Sequence, residues 1–347
     1  MILDGGSLMP VPLVRALTGA AEGMELPGLL KTELHASVVE LNTGICGDAD
    51  EAAAAIAELR RAAGSIAQDH GLRVAAAGSH PRARPEELEI VPEPRYLKFV
   101  EYAGISARRQ GVSGLHVHVG MPSPDVALHV LDGIVPWLPL VLALSANSPY
   151  LAGEEAGLMS ARAEILGLLP RHGAPPELDS YDDWERLVER LVATGLVSDY
   201  TALWWDARLH PRFGTIEIRA ADQPTAFALT IAFVALLQAL CASVREEPRR
   251  MRDAEARVVY DQNRWAASRY GPRAELIHPE GGHRVAVPEL TAELLERVRP
   301  AAEDLGTEQL LTTVDPTWCE GDVQLELGRS EGLDAVVREL VERTLDF

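Results

Sequence analysis

Glutamates, histidines and arginines recur at alternate positions in short segments of this chain that read as strands, the spacing needed to aim several side chains at one ion or anion. Gly114-Leu-His-Val-His-Val-Gly120 puts His116 and His118 on one face and Val117 and Val119 on the other, because strand side chains repeat every second residue. Phe213-Gly-Thr-Ile-Glu-Ile-Arg219 sets Thr215, Glu217 and Arg219 against Ile216 and Ile218 in the same way. Glu33 and Glu40 bracket a strand-like segment at an odd spacing. They reach one site only through a bulge or twist; otherwise they are solvated carboxylates on an edge strand. Asn147-Ser-Pro is a fourth such segment.

Carboxylates with a neutral imidazole suit Mg²⁺ or Mn²⁺ when the metal also carries nucleotide phosphates, and neighbouring arginines then neutralise those phosphates. Arg208 and Arg212 precede Glu217 and Arg219 and fit that role. Each motif alone has a plainer reading. A His-x-His pair serves hydrolase metal sites, phosphate sites and ordinary strands, and Glu217 beside Arg219 makes a structural ion pair. Gly114 and Gly120 allow close backbone approach at both ends of their strand. Trp204-Trp205 reads as core or pocket wall. Asn263, Arg264 and Arg269 hold a substrate carboxylate or cap a helix, and Cys319, with no histidine partner nearby, reads as a buried thiol.

These groups need a scaffold, and 347 residues with 47% hydrophobic content suffice for a sizeable core. A net charge of -20 argues against nucleic-acid and anionic-membrane partners, since both need clustered Lys and Arg. A small anionic ligand stays open to a local arginine pocket, arginine being the better fork for carboxylate and phosphate. Lys31 and Lys98 are the only lysines. Three widely spaced cysteines, Cys46, Cys241 and Cys319, point to a reducing cytosol, and no leader with an apolar centre opens the chain. The longest apolar stretches, 134–146 and 226–237, fall short of the ~20 residues of a membrane span and read as buried helices.

Asp48 with Glu51 forms a capping box opening an alanine-rich helix that ends near Gly71. Residues 73–77 read as a strand before a turn at Gly78-Ser-His-Pro, and 79–94 as a loop. Helices are expected around 96–109, 124–144, 181–194, 224–245, 288–305 and 333–344. Strands and helices alternate irregularly, which favours α+β. No linker, repeat or low-complexity tract divides residues 1–347, so a single domain is expected.

Six segments also carry a resemblance. Lys31-Thr-Glu-Leu-His-Ala-Ser-Val-Val-Glu-Leu-Asn-Thr-Gly44, Gly114-Leu-His-Val-His-Val-Gly120, Ala143-Leu-Ser-Ala-Asn-Ser-Pro149, Trp204-Trp-Asp-Ala-Arg208, Gly214-Thr-Ile-Glu-Ile-Arg219 and Asn263-Arg-Trp-Ala-Ala-Ser-Arg-Tyr-Gly271 resemble, in order, the type 2 glutamate–cysteine ligase family, also called carboxylate–amine ligases. The resemblance implies a glutamine-synthetase-like fold: a curved, mostly antiparallel sheet binding ATP, divalent metal and an amino acid on its concave face, with helices packed on the convex face. It implies that the γ-carboxylate of glutamate attacks the γ-phosphate of ATP, and that an amine, that of cysteine in the family's named reaction, displaces phosphate from the acyl phosphate. Carried onto matching positions, it gives Glu33, Glu40, His116 and Glu217 to Mg²⁺ or Mn²⁺, sets the catalytic His118, Arg212 and Arg219 against the ATP phosphates, and gives Arg162 to nucleotide or substrate. Small amino acids are the implied partners; self-association is left open.

Two departures stand out. Relatives begin with a Gly-Val-Glu-Glu-Glu strand just before a segment like Ile2-Leu-Asp-Gly-Gly-Ser-Leu-Met-Pro10; that strand, expected to add metal ligands, is missing here, and a start upstream of Met1 is the expectation. Near the C-terminus Gly321 and Gln324 keep a family pattern whose following arginine is absent, which puts the amine acceptor in question. The rivals are a ligase for another acid or amine, a nucleotide-binding protein that has lost turnover, and a His-x-His metallohydrolase. Under the leading reading, Glu217→Gln and His116→Ala abolish turnover and leave the fold intact.

Overall fold

The computed structural model describes residues 1–249 and 255–347. Eleven short strands lie among them: β1 (Ile2–Asp4), β2 (Gly28–Thr32), β3 (Val39–Thr43), β4 (Leu72–Val74), β5 (Val117–Gly120), β6 (Tyr150–Leu151), β7 (Glu154–Glu155), β8 (Ala207–His210), β9 (Thr215–Ile218), β10 (Glu275–Ile277) and β11 (Arg284–Ala286). With the helices between them they make an α+β chain. All ladders are antiparallel: β5-β9-β8 forms a three-stranded sheet, and β1 with β4, β2 with β3, β6 with β7 and β10 with β11 form pairs. Where the resemblance implies a curved, mostly antiparallel sheet, the described residues form separate antiparallel pieces.

Period-two patterning orients the three-stranded sheet. Val117, Ala207, Leu209, Ile216 and Ile218 are buried in the main core, where the helices Pro124–Ile134 and Phe227–Arg245 pack against them. The opposite face carries the polar residues. A second core lies under β2 and β3, where Leu59, Ala63, Ile66 and Ala67 of the helix Ala49–Asp69 meet Ile2, Leu30, Leu72 and Val74. Asp48 caps that helix by accepting from the Glu51 amide at 2.8 Å, while Glu51 reaches back to the Gly47 amide at 2.7 Å rather than to that of Asp48. The small alanines let the helix approach the strands closely.

Other expectations need correction. Residues 33–38 are the connection between β2 and β3, so Glu33 leaves the end of one strand while Glu40 sits in the next, opposite Lys31. A hairpin-like reversal, not a bulge, resolves the odd spacing. The helix expected over 96–109 breaks at Gly104, whose φ of 57° no side chain tolerates easily, into Pro94–Ala103 and Ile105–Arg108. The apolar stretches extend to Pro124–Ser145 and Phe227–Arg245, 22 and 19 residues, long and apolar enough to cross a membrane by length and composition; both are mostly buried inside the protein. Asn147 lies in no strand but in an irregular segment after the helix ending at Ser145, next to the isolated bridge between Ser148 and Ser160.

The Gly78-Ser-His-Pro turn supports one prediction. His80 donates from Nε2 to the Leu8 carbonyl at 3.0 Å, and its Nδ1 accepts from the amides of Arg82 and Ala83 at 3.2 and 3.1 Å. Both nitrogens serve the neutral ring, and burial holds its pKa down at about 4. Between that value and the ordinary 6.5 the unfolded chain binds the proton and the folded one does not, so stability falls as pH drops through this window. The shift corresponds to about 3 kcal/mol. In urea titrations from pH 7 to 4 the wild type should lose that much more stability than His80→Gln; parallel curves would refute it.

Candidate active site

The polar face of the three-stranded sheet is built by register. His118 lies opposite Glu217, Glu217 opposite Arg208, and Thr215 opposite both Gly120 and His210. His116 and Arg219, one step beyond the ladder, continue the same face. Glu217 is its anchor: Oε2 accepts from Arg208 Nε at 2.7 Å and Oε1 from Arg219 Nη1 at 2.6 Å, with His116 Nδ1 3.7 Å away. Burial would raise its pKa, but the Arg219 and Arg208 guanidiniums overcome this and hold the carboxyl well below the usual range. His116 keeps a third of its side chain open to the cleft (33%), while desolvation by the surrounding protein and then Arg219 push its imidazole pKa well below the usual value. His118 bonds Thr215 Oγ1 at 2.9 Å and is likewise pushed down, chiefly by burial.

This face forms one wall of a cleft of about 1910 Å³, which also takes in Glu33 and Glu40 from the β2–β3 piece. All eight residues that the resemblance assigns to metal, phosphates or substrate line it: Glu33, Glu40, His116, His118, Arg162, Arg212, Glu217 and Arg219. Arg212 sits exposed at the rim, in the turn joining β8 to β9. The helix Pro94–Ala103 buries none of its residues and contributes Arg95, Lys98, Phe99 and Tyr102 to the cleft, a spacing that puts them on one helical stripe. Among the described residues, nine Lys and Arg against four Asp and Glu line the cleft, both lysines of the chain included, within a protein of net charge -20.

Glu33 is pushed up by burial and then by the nearby Glu40 carboxylate, the situation a bound cation relieves. No three His, Cys, Asp or Glu among the described residues converge into a metal cage. Glu33, Glu40, His116 and Glu217 therefore do not converge as a ready-made set of four ligands; a Mg²⁺ that takes one or two carboxylates and completes its shell with water and phosphate oxygens would have Glu33 and Glu40 as its pair. Glu217 joins such a shell only by exchanging a guanidinium for the metal.

Comparison with known proteins decides the family. Residues 6–326 match the profile of glutamate–cysteine ligase family 2. The chain belongs to this family. It is 39% identical over 315 residues to a Rubrobacter xylanophilus protein named "Putative glutamate--cysteine ligase 2-3", covering 90% of this chain and 85% of that one. It is 36% identical to a similarly named protein of Sorangium cellulosum, over 92% and 87% of the two chains. Among solved structures, the glutamate–cysteine ligase of Francisella tularensis in complex with AMP superposes with a TM-score of 0.68 at 13% identity, over 100% of this chain and 87% of that one. A bifunctional glutathione synthetase of Pasteurella multocida gives 0.70 at 15%, over 98% and 50%. These two likenesses concern the fold.

Several of the motifs that carry the resemblance make internal contacts that hold the structure. Arg162 is buried, bonding the carbonyls of Arg219 and Ala220 at 2.9 and 3.3 Å and pairing with Asp222 at 3.6 Å. Gly114 makes room for that guanidinium, since a Cβ there would stand 2.1 Å from Arg162 Nη2; the close approach is to a side chain of the protein itself. Asn263 clasps Ile277 through both its amide atoms, Arg264 bonds Asp206, and Arg269 bonds the Gly157 carbonyl. Gln324 donates to Asn147, and Glu320 accepts from the Thr225 and Ala226 amides ahead of the Phe227–Arg245 helix. Residues 319–328 do not line the cleft, so the departure there does not alter its walls. Trp204 lines the cleft while Trp205 is buried, and burial pushes the Cys319 thiol up.

Sequence reasoning missed Asp222, fully buried and bonded by Ser148, Ser160 and the Asn147 amide, and Arg60, whose donors meet the Thr225, Thr344 and Pro224 carbonyls beneath the cleft. Neither has a local signal, because their partners lie far away in the chain. Arg208 was legible: it shares a period of two with His210.

Proposed function

We propose that this protein is an ATP-dependent carboxylate–amine ligase joining glutamate to an amine, cysteine being the acceptor in the family's name. The carrying observation is a strongly cationic cleft in an acidic protein, walled by the Glu217-centred face. Such a cleft focuses field lines and concentrates a polyanionic nucleotide. In this reading Arg219, Arg212 and His118 lie along the phosphates, where fixed cations offset the charge spread over the transferring phosphoryl group. Glu33 and Glu40 hold Mg²⁺, which supplies further neutralisation of that charge.

The γ-carboxylate oxygen of glutamate forms a bond to the γ-phosphorus as the bond to ADP breaks. The amine then bonds to the acyl carbon, phosphate departs with the C–O bonding pair, and the nitrogen sheds a proton. Holding both substrates on rigid strands makes each step effectively unimolecular. A sheet of glutamine-synthetase type, concave toward the cleft, is the arrangement this reading assigns to the antiparallel pieces.

The test is phosphate release from ATP with Mg²⁺, glutamate and a panel of amines, with product masses read in the same tubes. ADP, phosphate and γ-glutamylcysteine in equal amounts are expected. A different amide would move the acceptor assignment; nucleotide binding without any product would leave a binding protein.

A further inference from the structure

The cleft is also lined by Tyr102, Arg171 and Trp204, which lie outside the Glu217-centred sheet face. Arg171 is a non-glycine residue with φ of 61°, a conformation that costs of order 1 kcal/mol or more and persists only where surroundings impose it. Its Nε donates to the Ala202 carbonyl at 3.1 Å and Nη1 to the Tyr102 hydroxyl at 3.3 Å. The guanidinium lies 5.0 Å from the Trp204 ring and 5.9 Å from the Tyr102 ring. Among the described residues no carboxylate pairs with it, and Nη2 has no protein partner. Lys98, four residues before Tyr102 and also lining the cleft, has no acidic partner among them either.

We propose that Arg171 is the fork that receives the α-carboxylate of the amino-acid substrate, a specificity-determining contact that rests on the ligase reading. A guanidinium fixed by stacking and two hydrogen bonds presents its remaining donors in one plane, the geometry a carboxylate matches. Trp204 is already engaged within the protein: Arg171 lies over its ring and Phe99 packs against it at 5.2 Å, tilted by 54°. The phosphate-facing cations belong to the sheet wall. The two regions are mechanically linked: Arg208, which holds Glu217, donates to the carbonyls of Thr201 and Leu203, and Arg171 holds the carbonyl between them.

The experiment is calorimetric binding of L-glutamate and of 4-aminobutyrate, the same skeleton without the α-carboxylate, to the full-length protein with Mg²⁺ and a non-hydrolysable ATP analogue. The wild type should prefer glutamate by at least about tenfold, and Arg171→Gln should weaken glutamate about 10- to 100-fold, the range for losing charge-assisted hydrogen bonds. The variant should bind both compounds alike and keep the wild-type affinity for the ATP analogue. Arg171→Lys, which keeps the charge but not the fork, should recover only part of the preference. An unchanged preference in Arg171→Gln overturns the assignment while leaving the ligase reading in place, and equal weakening of the ATP analogue moves Arg171 to the phosphates. A wild type that binds no glutamate overturns both.

Discussion

Glu217→Gln should lower kcat by about 10³-fold, the scale for removing a preorganised electrostatic group, and should also cost about 3 kcal/mol of folding stability. The second effect departs from the expectation of an intact fold. Glu217 is 3% exposed and engages two guanidiniums through separate oxygens. An amide keeps one acceptor and loses the charge, so Arg208 and Arg219 are left repelling each other in a poorly solvated wall. His116→Ala is the contrasting case: its ionic contact is the 3.7 Å approach to Glu217 and a third of its side chain is open, so activity should fall with little change in stability. Steady-state rates with parallel urea titrations of both variants check this. Near-wild-type kcat in Glu217→Gln would remove Glu217 from the reaction.

Asp222→Ala should be among the most destabilising single changes in the chain, at about 4 kcal/mol. Its carboxylate is fully buried and accepts from Ser148 Oγ at 2.6 Å, Ser160 Oγ at 2.8 Å and the Asn147 amide at 2.9 Å, with Arg162 3.6 Å away. Removing it strands a buried guanidinium and three donors, each a cost in its own right. The effect should reach the cleft, because Arg162 holds the carbonyls of Arg219 and Ala220. Asp222→Asn, which preserves shape and one acceptor, should fall between. A midpoint shift in urea worth less than about 1 kcal/mol for the alanine variant would show that Arg162 finds other partners.

Legibility in the sequence followed the range of the forces involved. The N-cap at Asp48, the helices near 181–194 and 333–344, and the two-faced strands around His118 and Glu217 are set by neighbours within a few residues, and they stand where local patterning puts them. Glu33 to Glu40 misread as a strand because alternation cannot tell an extended run from two strand ends joined by a reversal. The helix after Pro94 read too long because periodicity continues past Gly104 while the backbone does not.

By itself the sequence determined the α+β class and the apolar and polar faces of the β5 and β9 strands, since composition and period two act locally, and its resemblance to the family pointed to the eight residues that share the cleft. Only the tertiary structure decided that Glu217 is bound by arginines on both oxygens, that Gly114 yields space to Arg162, and that Asp222, Arg60 and Arg171 matter. Those facts depend on contacts between residues far apart in the chain, where burial and the pairing of charges, rather than residue type, set what each side chain does.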